Sequence, residues 1–269
     1  MSNNLLKGKR GIVFGALNNR SIAWKAAERI KEEGGVFVLS NSLLALRQGE
    51  LNDLAKACDN APVIPADVTI VSDLENLVSE SVRLLGGKMD FVLHSVAMSN
   101  NIRKGKSYGD LDYSFFLKTL DVSAISFHKV MHTLEKLDAV NEWASIIALS
   151  YIAAQRTFPD YSDMADAKAM LESIARGYGH RLGEKLNVRV NTISQSPVYT
   201  TAGSGVSGFD KFYDYAQKMS PLGNASSLDC ANYIVMMFSD FSRMVTMQNL
   251  MHDGGFSSCG VTNEIMKLV

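Results

Sequence analysis

Long apolar runs are missing from this chain of 269 residues, and no stretch of 18 apolar residues occurs that would span a bilayer. Cysteine is scarce: Cys58, Cys230 and Cys259 are widely spaced and odd in number. They form no CxxC pair, which excludes a disulfide framework and a cysteine-based zinc motif. An excess of either charge is also absent. Lys and Arg total 27 against 28 Asp and Glu, for a net charge of −1. A near-neutral chain lacks the basic field that nonspecific nucleic-acid binding needs. The opening residues MSNNLLKGKR carry none of the apolar stretch of a secretory signal, so a reducing, cytoplasmic compartment is expected. His128 and His132 stand at i,i+4 on one helical pattern with no third ligand in sight, and no metal is expected. No internal repeat, low-complexity tract or domain linker interrupts the sequence.

What is present is a large apolar fraction, 46%, with charged residues at 20%, enough to pack a sizeable core. Short segments rich in β-branched residues recur, each followed by a longer helical pattern. Residues 10–15, 36–39, 62–66, 90–96, 143–149, 187–194 and 245–251 read as strands. Residues 21–33, 43–57, 72–85, 110–138, 161–183 and 227–239 read as helices, the third opened by Ser72. This alternation predicts a single Rossmann-like, doubly wound domain over residues 1–269, with a seven-stranded parallel sheet and helices on both faces. The one glycine-rich stretch, GSGVSG at 203–208, is well placed for a lid.

Ligands of an open α/β sheet bind beyond the carboxyl ends of its strands. The first such turn runs from Gly15 through Ser21, Ile22 and Ala23. It has one glycine where a dinucleotide fingerprint has three. Ser21 can cap the helix and also bond a phosphate at its positive end. The same loop also reads as an ordinary strand–turn–helix. Asp67 and Val68 end the third strand, where a carboxylate can accept from an adenine amino group or simply cap the next segment. His94 closes the fourth strand, followed by the small residues Ser95, Val96 and Ala97. Alone it reads as a core histidine.

Tyr161 and Lys168 are seven apart on one helical pattern, which leaves them roughly 20° apart around its axis at about 100° per residue. An ammonium near a phenol lowers the phenol pKa and can hold ribose hydroxyls. Tyr151 stands ten residues before Tyr161, and Ala148 thirteen before it. The tyrosine–lysine helix, the first turn and the βα repetition resemble the short-chain dehydrogenase/reductase superfamily. The ordered set GALNNRSIAW, HSVA, Tyr-x9-Tyr-x6-Lys, ISQSPVYT and HDGGFS looks like bacterial enoyl-acyl carrier protein reductases of the NADH type, over about Leu6 to Ser257.

That resemblance implies reduction of the trans-2 double bond of enoyl thioesters carried on an acyl carrier protein, the last step of the fatty acid elongation cycle. It implies Tyr151, Tyr161 and Lys168 as catalytic residues. Gly15, Ser21, Ile22, Ser42, Asp67, Val68, Val96, Lys168 and the run Val198, Tyr199, Thr200, Thr201 and Ala202 would bind the cofactor, and Ser99 would meet substrate. NADH is the expected cofactor. Ser40, Asn41 and Ser42 supply neither the acid that selects NADH nor a base that selects NADPH, so NADPH stays open. A homotetramer without membrane insertion or nucleic acid is expected. Carbonyl reductases of the superfamily place a serine where this chain has Ala148, which argues against the alternative of a 3-oxoacyl or other carbonyl reductase. The retained tyrosine and lysine argue against a non-catalytic dinucleotide sensor. Residues 199–216, with Gly203, Gly205, Gly208, Phe209, Phe212, Tyr213 and Tyr215, are expected to form a mobile lid over the acyl chain. Arg103, Lys104 and Lys106 read either as a patch that steers an acidic carrier protein or as a solvated loop.

Overall fold

A computed structural model describes residues 2–48, 50–201, 203 and 208–267. The sheet has six strands: β1 (Arg10–Phe14), β2 (Val36–Ser40), β3 (Met89–His94), β4 (Val140–Ser150), β5 (Arg189–Gln195) and β6 (Asn249–His252). All pair in parallel, in the order β2-β1-β3-β4-β5-β6. The seventh strand expected at 62–66 is not a member of the sheet. Pro62 and Pro65 bracket it, and proline has no N–H for a ladder. The segment meets β2 only at the bridge between Leu39 and Val63, with Leu39 N–H donating to Pro62 O and Ile64 N–H to Leu39 O.

Helices α1 (Ile22–Glu32), α2 (Leu43–Gln48), α3 (Leu51–Ala57), α4 (Val71–Leu85), α5 (Asn100–Arg103), α6 (Tyr113–Leu120), α7 (Ser126–Lys136), α8 (Ser162–Leu186), α9 (Phe209–Met219), α10 (Ser227–Phe238) and α11 (Asn263–Met266) follow in chain order. The strands are apolar on both sides because both sides are covered. Ile12, Val92, Ile146 and Val190 face a core shared with α4, α7 and α8. Val13, Leu93, Ile147 and Ile193 face a second core shared with α1 and α10. The helix expected at 110–138 is interrupted by a π turn at Asp121–Ile125. There Ser123 Oγ is held by Met98, accepting from its N–H (3.0 Å) and donating to its carbonyl (3.2 Å). Helix α4 is not opened by Ser72. It starts at Val71, and the nearby Asp73 carboxylate accepts from Asp67 N–H instead.

The strand order reverses between β1 and β3, which leaves a crevice beyond their carboxyl ends. Gly15 sits in it at φ +89°, so close to Ser95 that an added Cβ would lie 1.9 Å from the Ser95 carbonyl oxygen. That approach, together with the positive φ, is why the position is glycine.

Candidate active site

The crevice opens into a cavity of about 310 Å³ whose wall includes Ile22, Ser99, Tyr151, Tyr161, Lys168 and Val198. Tyr151 follows the end of β4, while Tyr161 immediately precedes α8 and Lys168 lies two turns along it. Their rings and stem are thus brought to one place by a strand end, the 3-10 turn Pro159–Tyr161 and the first turns of α8. The Tyr151 and Tyr161 rings lie 4.9 Å apart. Phe158, which the sequence reading passed over, packs on Tyr151 (5.7 Å) and on Phe212 of α9 (5.2 Å). Phe212 also stands edge-on to Tyr151. One side of the cavity, formed by Tyr151, Phe158, Tyr161 and Phe212, is therefore an aromatic wall suited to an apolar chain.

The electrostatics of the site differ from expectation in one respect. Tyr161 is pushed up from the usual phenol range by burial, not lowered by the lysine. Desolvation outweighs the ammonium, so Tyr161 stays a neutral hydrogen-bond donor. Tyr151 moves up for the same reason, and its buried hydroxyl finds no partner among the described residues. Burial lowers Lys168 to about 8, with the Glu172 carboxylate opposing the shift. Lys168 Nζ donates to Leu149 O (2.6 Å), which commits one of its three protons. His94, behind the site at the end of β3, is lowered to about 3 by burial and by the Lys168 charge. Its Nε2 bonds Ser126 Oγ (2.9 Å), and its Nδ1 has no partner among the described residues.

Of the residues expected to hold the cofactor, Ile22, Lys168, Val198 and Thr200 line the cavity, while Gly15, Ser21, Ser42, Asp67, Val68, Val96 and Thr201 are not part of its wall. Ser21 does not cap α1 with its side chain. Its Oγ accepts from the N–H groups of Leu17 (3.1 Å) and Asn18 (3.2 Å), which tightens the loop. The first-turn N–H groups of α1 are thus left without a side-chain cap, at the positive end of the helix. Asn41, at the end of β2, donates to Ala16 O (2.9 Å). Ser42 Oγ accepts from Ala45 N–H at the head of α2. Asp67 is exposed, and its Oδ1 accepts from Thr69 N–H and Oγ1, closing a local turn rather than capping α4, whose N-cap position is Ile70. Val68 is buried, and Val96 packs partly buried on the core. Thr201 Oγ1 accepts from Asn18 Nδ2 (2.8 Å) and Arg20 (3.4 Å), clasping the first loop to the 198–203 segment. Thr200 Oγ1 accepts from Gly203 N–H. Tyr199 is not in the cavity wall: its ring packs on Tyr213 (4.4 Å) and Phe209 (5.1 Å). Ala202 and Gly205 lie outside the described residues.

Ser99 lines the cavity, but its hydroxyl is committed. It donates to Asp163 (2.6 Å) and accepts from Ile102 N–H (3.0 Å). Asp163 is fully buried and also accepts from Asn101 and Thr119. The start of α5, through Ser99 and Asn101, and the end of α6, through Thr119, are thereby pinned to the head of α8. Gln195, also missed from sequence, ends β5 with Oε1 on His252 Nδ1 (2.7 Å), while its buried Nε2 has no partner among the described residues. It too lines the cavity. Of the basic cluster, Arg103 reaches the rim and is exposed, Lys104 sits over the Phe115 ring (4.3 Å), and Lys106 pairs with Asp110 (2.8 Å).

Comparison with known proteins supports the same reading. A family model described as enoyl-(acyl carrier protein) reductase matches residues 15–257. The enoyl-[acyl-carrier-protein] reductase [NADH] FabI of Rickettsia bellii is 34% identical, over 99% of this chain and 100% of that protein. Reductase [NADH] 1 of Rhizobium meliloti is 31% identical over 97% of this chain and 94% of its own length. The crystal structure of a FabI–NADH complex from Alistipes finegoldii superposes with a TM-score of 0.97 at 58% identity, covering 99% of this chain and 94% of that one. The chain belongs to the enoyl-(acyl carrier protein) reductase family.

Proposed function

We infer that this protein reduces the trans-2 double bond of enoyl chains carried on acyl carrier protein, using NADH, in fatty acid synthesis. The observation that carries this is the convergence of Tyr151, Tyr161 and Lys168 on one cavity with an aromatic wall. The residues present fit a dinucleotide. The Gly15 turn presses against Ser95 as a compact cradle, and α1 begins without a side-chain cap. Gly15, Ser21 and Ile22 would bind the pyrophosphate side, Ser42, Asp67, Val68 and Val96 the adenosine side, and Lys168 with Val198, Thr200 and Thr201 the nicotinamide side, while Tyr199 packs away from it on Tyr213. Two protons of Lys168 are left for ribose hydroxyls once Leu149 O has taken the third.

NADH, when bound, supplies the hydride that the β-carbon of the substrate receives. Negative charge then gathers on the thioester oxygen. Tyr161, held protonated by burial, donates to that oxygen as an oxyanion donor, in a site dry enough for the bond to count. The Tyr151 hydroxyl, without a partner among the described residues, is a second donor lining the same cavity. Ser99 contributes its position in the wall rather than its hydroxyl. A proton at the α-carbon completes the product.

The carbonyl-reductase alternative needs a serine hydroxyl beside the tyrosine. Ala148 is fully buried in β4, and the nearby hydroxyl of Ser150 is taken by Glu172 at 2.7 Å. The deciding experiment is NADH oxidation with crotonyl thioester against acetoacetyl thioester. Turnover of the enoyl substrate alone is expected; turnover of the acetoacetyl substrate alone overturns the assignment.

The lid at 199–216 belongs to the same proposal, supported by Phe209 and Phe212 in the cavity wall. So does a cytoplasmic homotetramer. No helix among the described residues is long and apolar enough to cross a membrane, and Phe241 and Met244 are exposed large apolar side chains of the kind a subunit interface covers. Light scattering of the purified protein tests the subunit number.

A further inference from the structure

Glu172 is a carboxylate that nothing in the reaction requires as an acid or base, yet it is 5% exposed and lies one helical turn past Lys168. Its two oxygens are used separately. One accepts from Ser150 Oγ at 2.7 Å, the other from Gln155 Nε2 at 3.0 Å. Ser150 is the last residue of β4 and directly precedes Tyr151. Gln155 closes the short 3-10 turn of Ile152–Ala154 that follows Tyr151. The carboxylate therefore grips the chain on both flanks of Tyr151. Lys168, one turn back on the same helix, grips the residue before Ser150 through Leu149 O. Tyr151 has no hydrogen bond of its own among the described residues to fix its hydroxyl, so these flanking bonds, with ring packing, set where it points.

The same carboxylate acts on Lys168 through its charge. The charged and titratable groups that interact with that ammonium are Glu172 on its own helix and His94 from β3, and the phenols of Tyr151 and Tyr161 line the same cavity. Burial keeps both phenols protonated and His94 neutral. Among the described residues, Glu172 is the group whose charge opposes the desolvation of Lys168.

Resting on the function inferred above, we propose that Glu172 is a positioning residue: it holds the Tyr151 turn in register with α8 and keeps the buried Lys168 in its charged, cofactor-holding form. Both tasks are fixed by one side chain, because Lys168 and Glu172 share a helix face at i,i+4 and the end of β4 lies along that face. The sequence hides it, since a Glu on a helix reads as solvated surface.

Two variants separate the tasks. Glu172→Gln keeps an acceptor for Ser150 and the shape of the side chain but removes the charge. Glu172→Ala removes both. For Glu172→Gln, hydrogen exchange over residues 149–155 should stay close to wild type. The pH at which NADH affinity is lost should fall by about one pH unit, the lower end of the effect of a neighbouring opposite charge. For Glu172→Ala, exchange over 149–155 should rise at least tenfold relative to the rest of β4. A purely structural glutamate would not move the pH of NADH release. An unchanged midpoint in Glu172→Gln overturns the electrostatic role, and unchanged exchange in Glu172→Ala overturns the clamp. If Glu172→Ala fails to fold, Ser150→Ala removes one of the two flanking bonds and reads the clamp by the same exchange, with unchanged exchange over 151–155 overturning it, while Glu172→Gln still decides the electrostatic role. Neither readout uses enoyl turnover, so a wild-type protein inactive on crotonyl thioester would overturn the inferred reaction without deciding the role of Glu172.

Discussion

Replacing Gly15 by alanine tests the crevice directly, and its cost can be worked from the backbone. At φ +89° any L residue carries a penalty of about 1–2 kcal/mol. The added Cβ would also lie 1.9 Å from the Ser95 oxygen and 2.7 Å from its carbon, so the ends of β1 and β3 must part by about 1.5 Å to reach ordinary contact. Neither side yields easily. Gly15 N–H donates to Ser40 O at 3.1 Å, and Phe14 is paired with His94 in the parallel ladder. Forced overpacking of this kind costs about 1–3 kcal/mol, for a total of about 2–5 kcal/mol. Set against a domain stability of about 5–15 kcal/mol, that loss weakens the fold and opens the cradle. Gly8 is the matched control: its φ is +79°, yet no described atom lies within 4 Å of the Cβ position. Gly8→Ala should therefore lose only the dihedral part, about 1–2 kcal/mol in urea unfolding, with NADH affinity unchanged. Gly15→Ala should lose more and bind NADH at least tenfold more weakly, about 1.4 kcal/mol by calorimetry. Equal stability losses in the two variants, with wild-type NADH affinity in both, would refute the argument from close approach.

Tyr161→Phe should lower kcat about 10²–10³-fold while leaving NADH affinity intact, since one oxyanion donor is worth about 2.7–4 kcal/mol. Full turnover in that variant would remove Tyr161 from the mechanism. Lys168 titrates at about 8 in the fold against its ordinary 10.5, so its ammonium form is lost as pH rises through 8, and NADH affinity should fall with it. Stability moves the opposite way: between those two values the unfolded chain holds the extra proton, so this group makes the fold more stable as pH rises. An affinity that stays flat from about pH 7 to 9.5 contradicts the charged-donor role. Hydrogen exchange across 208–216 should slow when NADH and an enoyl analogue are bound together, and equal protection with and without them would take the lid away from the acyl chain.

The repeating βα pattern was legible because burial on both faces makes parallel strands apolar throughout. The exception at 62–66 shows the limit of that signal. Pro62-Val-Ile-Pro65 is as apolar as a strand, but two missing N–H groups reduce it to a single bridge. Helical spacing put Tyr161 and Lys168 on one face of one helix; the structure does bring both to one cavity, but Tyr161 ends the 3-10 turn Pro159–Tyr161, and the non-helical backbone of Ser162, the first residue of α8, separates it from the rest of that helix. Spacing carried no information on the dielectric around them. It therefore missed the sign of the Tyr161 shift, which burial decides. Ser21 and Ser99 mark a related limit. A hydroxyl at a helix start suggests a cap or a ligand contact, and only the three-dimensional neighbours show that Ser21 closes its own loop and Ser99 serves Asp163.

Several unfavourable features of the molecule meet at this one cavity. Tyr151 and Gln195 bury polar atoms that find no partner among the described residues, and both line it. Lys168 is desolvated. Ser162, next to Tyr161, sits at φ +48° and ψ −139°, with its own hydroxyl buried and unpartnered among the described residues. Backbone in that region costs of order 1–3 kcal/mol, and a buried orphan polar group about 1–3 kcal/mol. Such costs persist where the surrounding structure enforces them, and here two packed cores and the Asp163 network do so. A ligand that supplies acceptors to Tyr151 and Gln195 and hydroxyls to Lys168 meets groups already stripped of water and held in place. Little of its binding energy is then spent on ordering the site. On the proposed reading, the cost concentrated around Tyr151, Tyr161 and Lys168 leaves those groups open to a ligand, while the buried carboxylates bind their surroundings: Glu172 holds Ser150 and Gln155 on either side of Tyr151, and Asp163 holds Ser99, Asn101 and Thr119 at the head of α8.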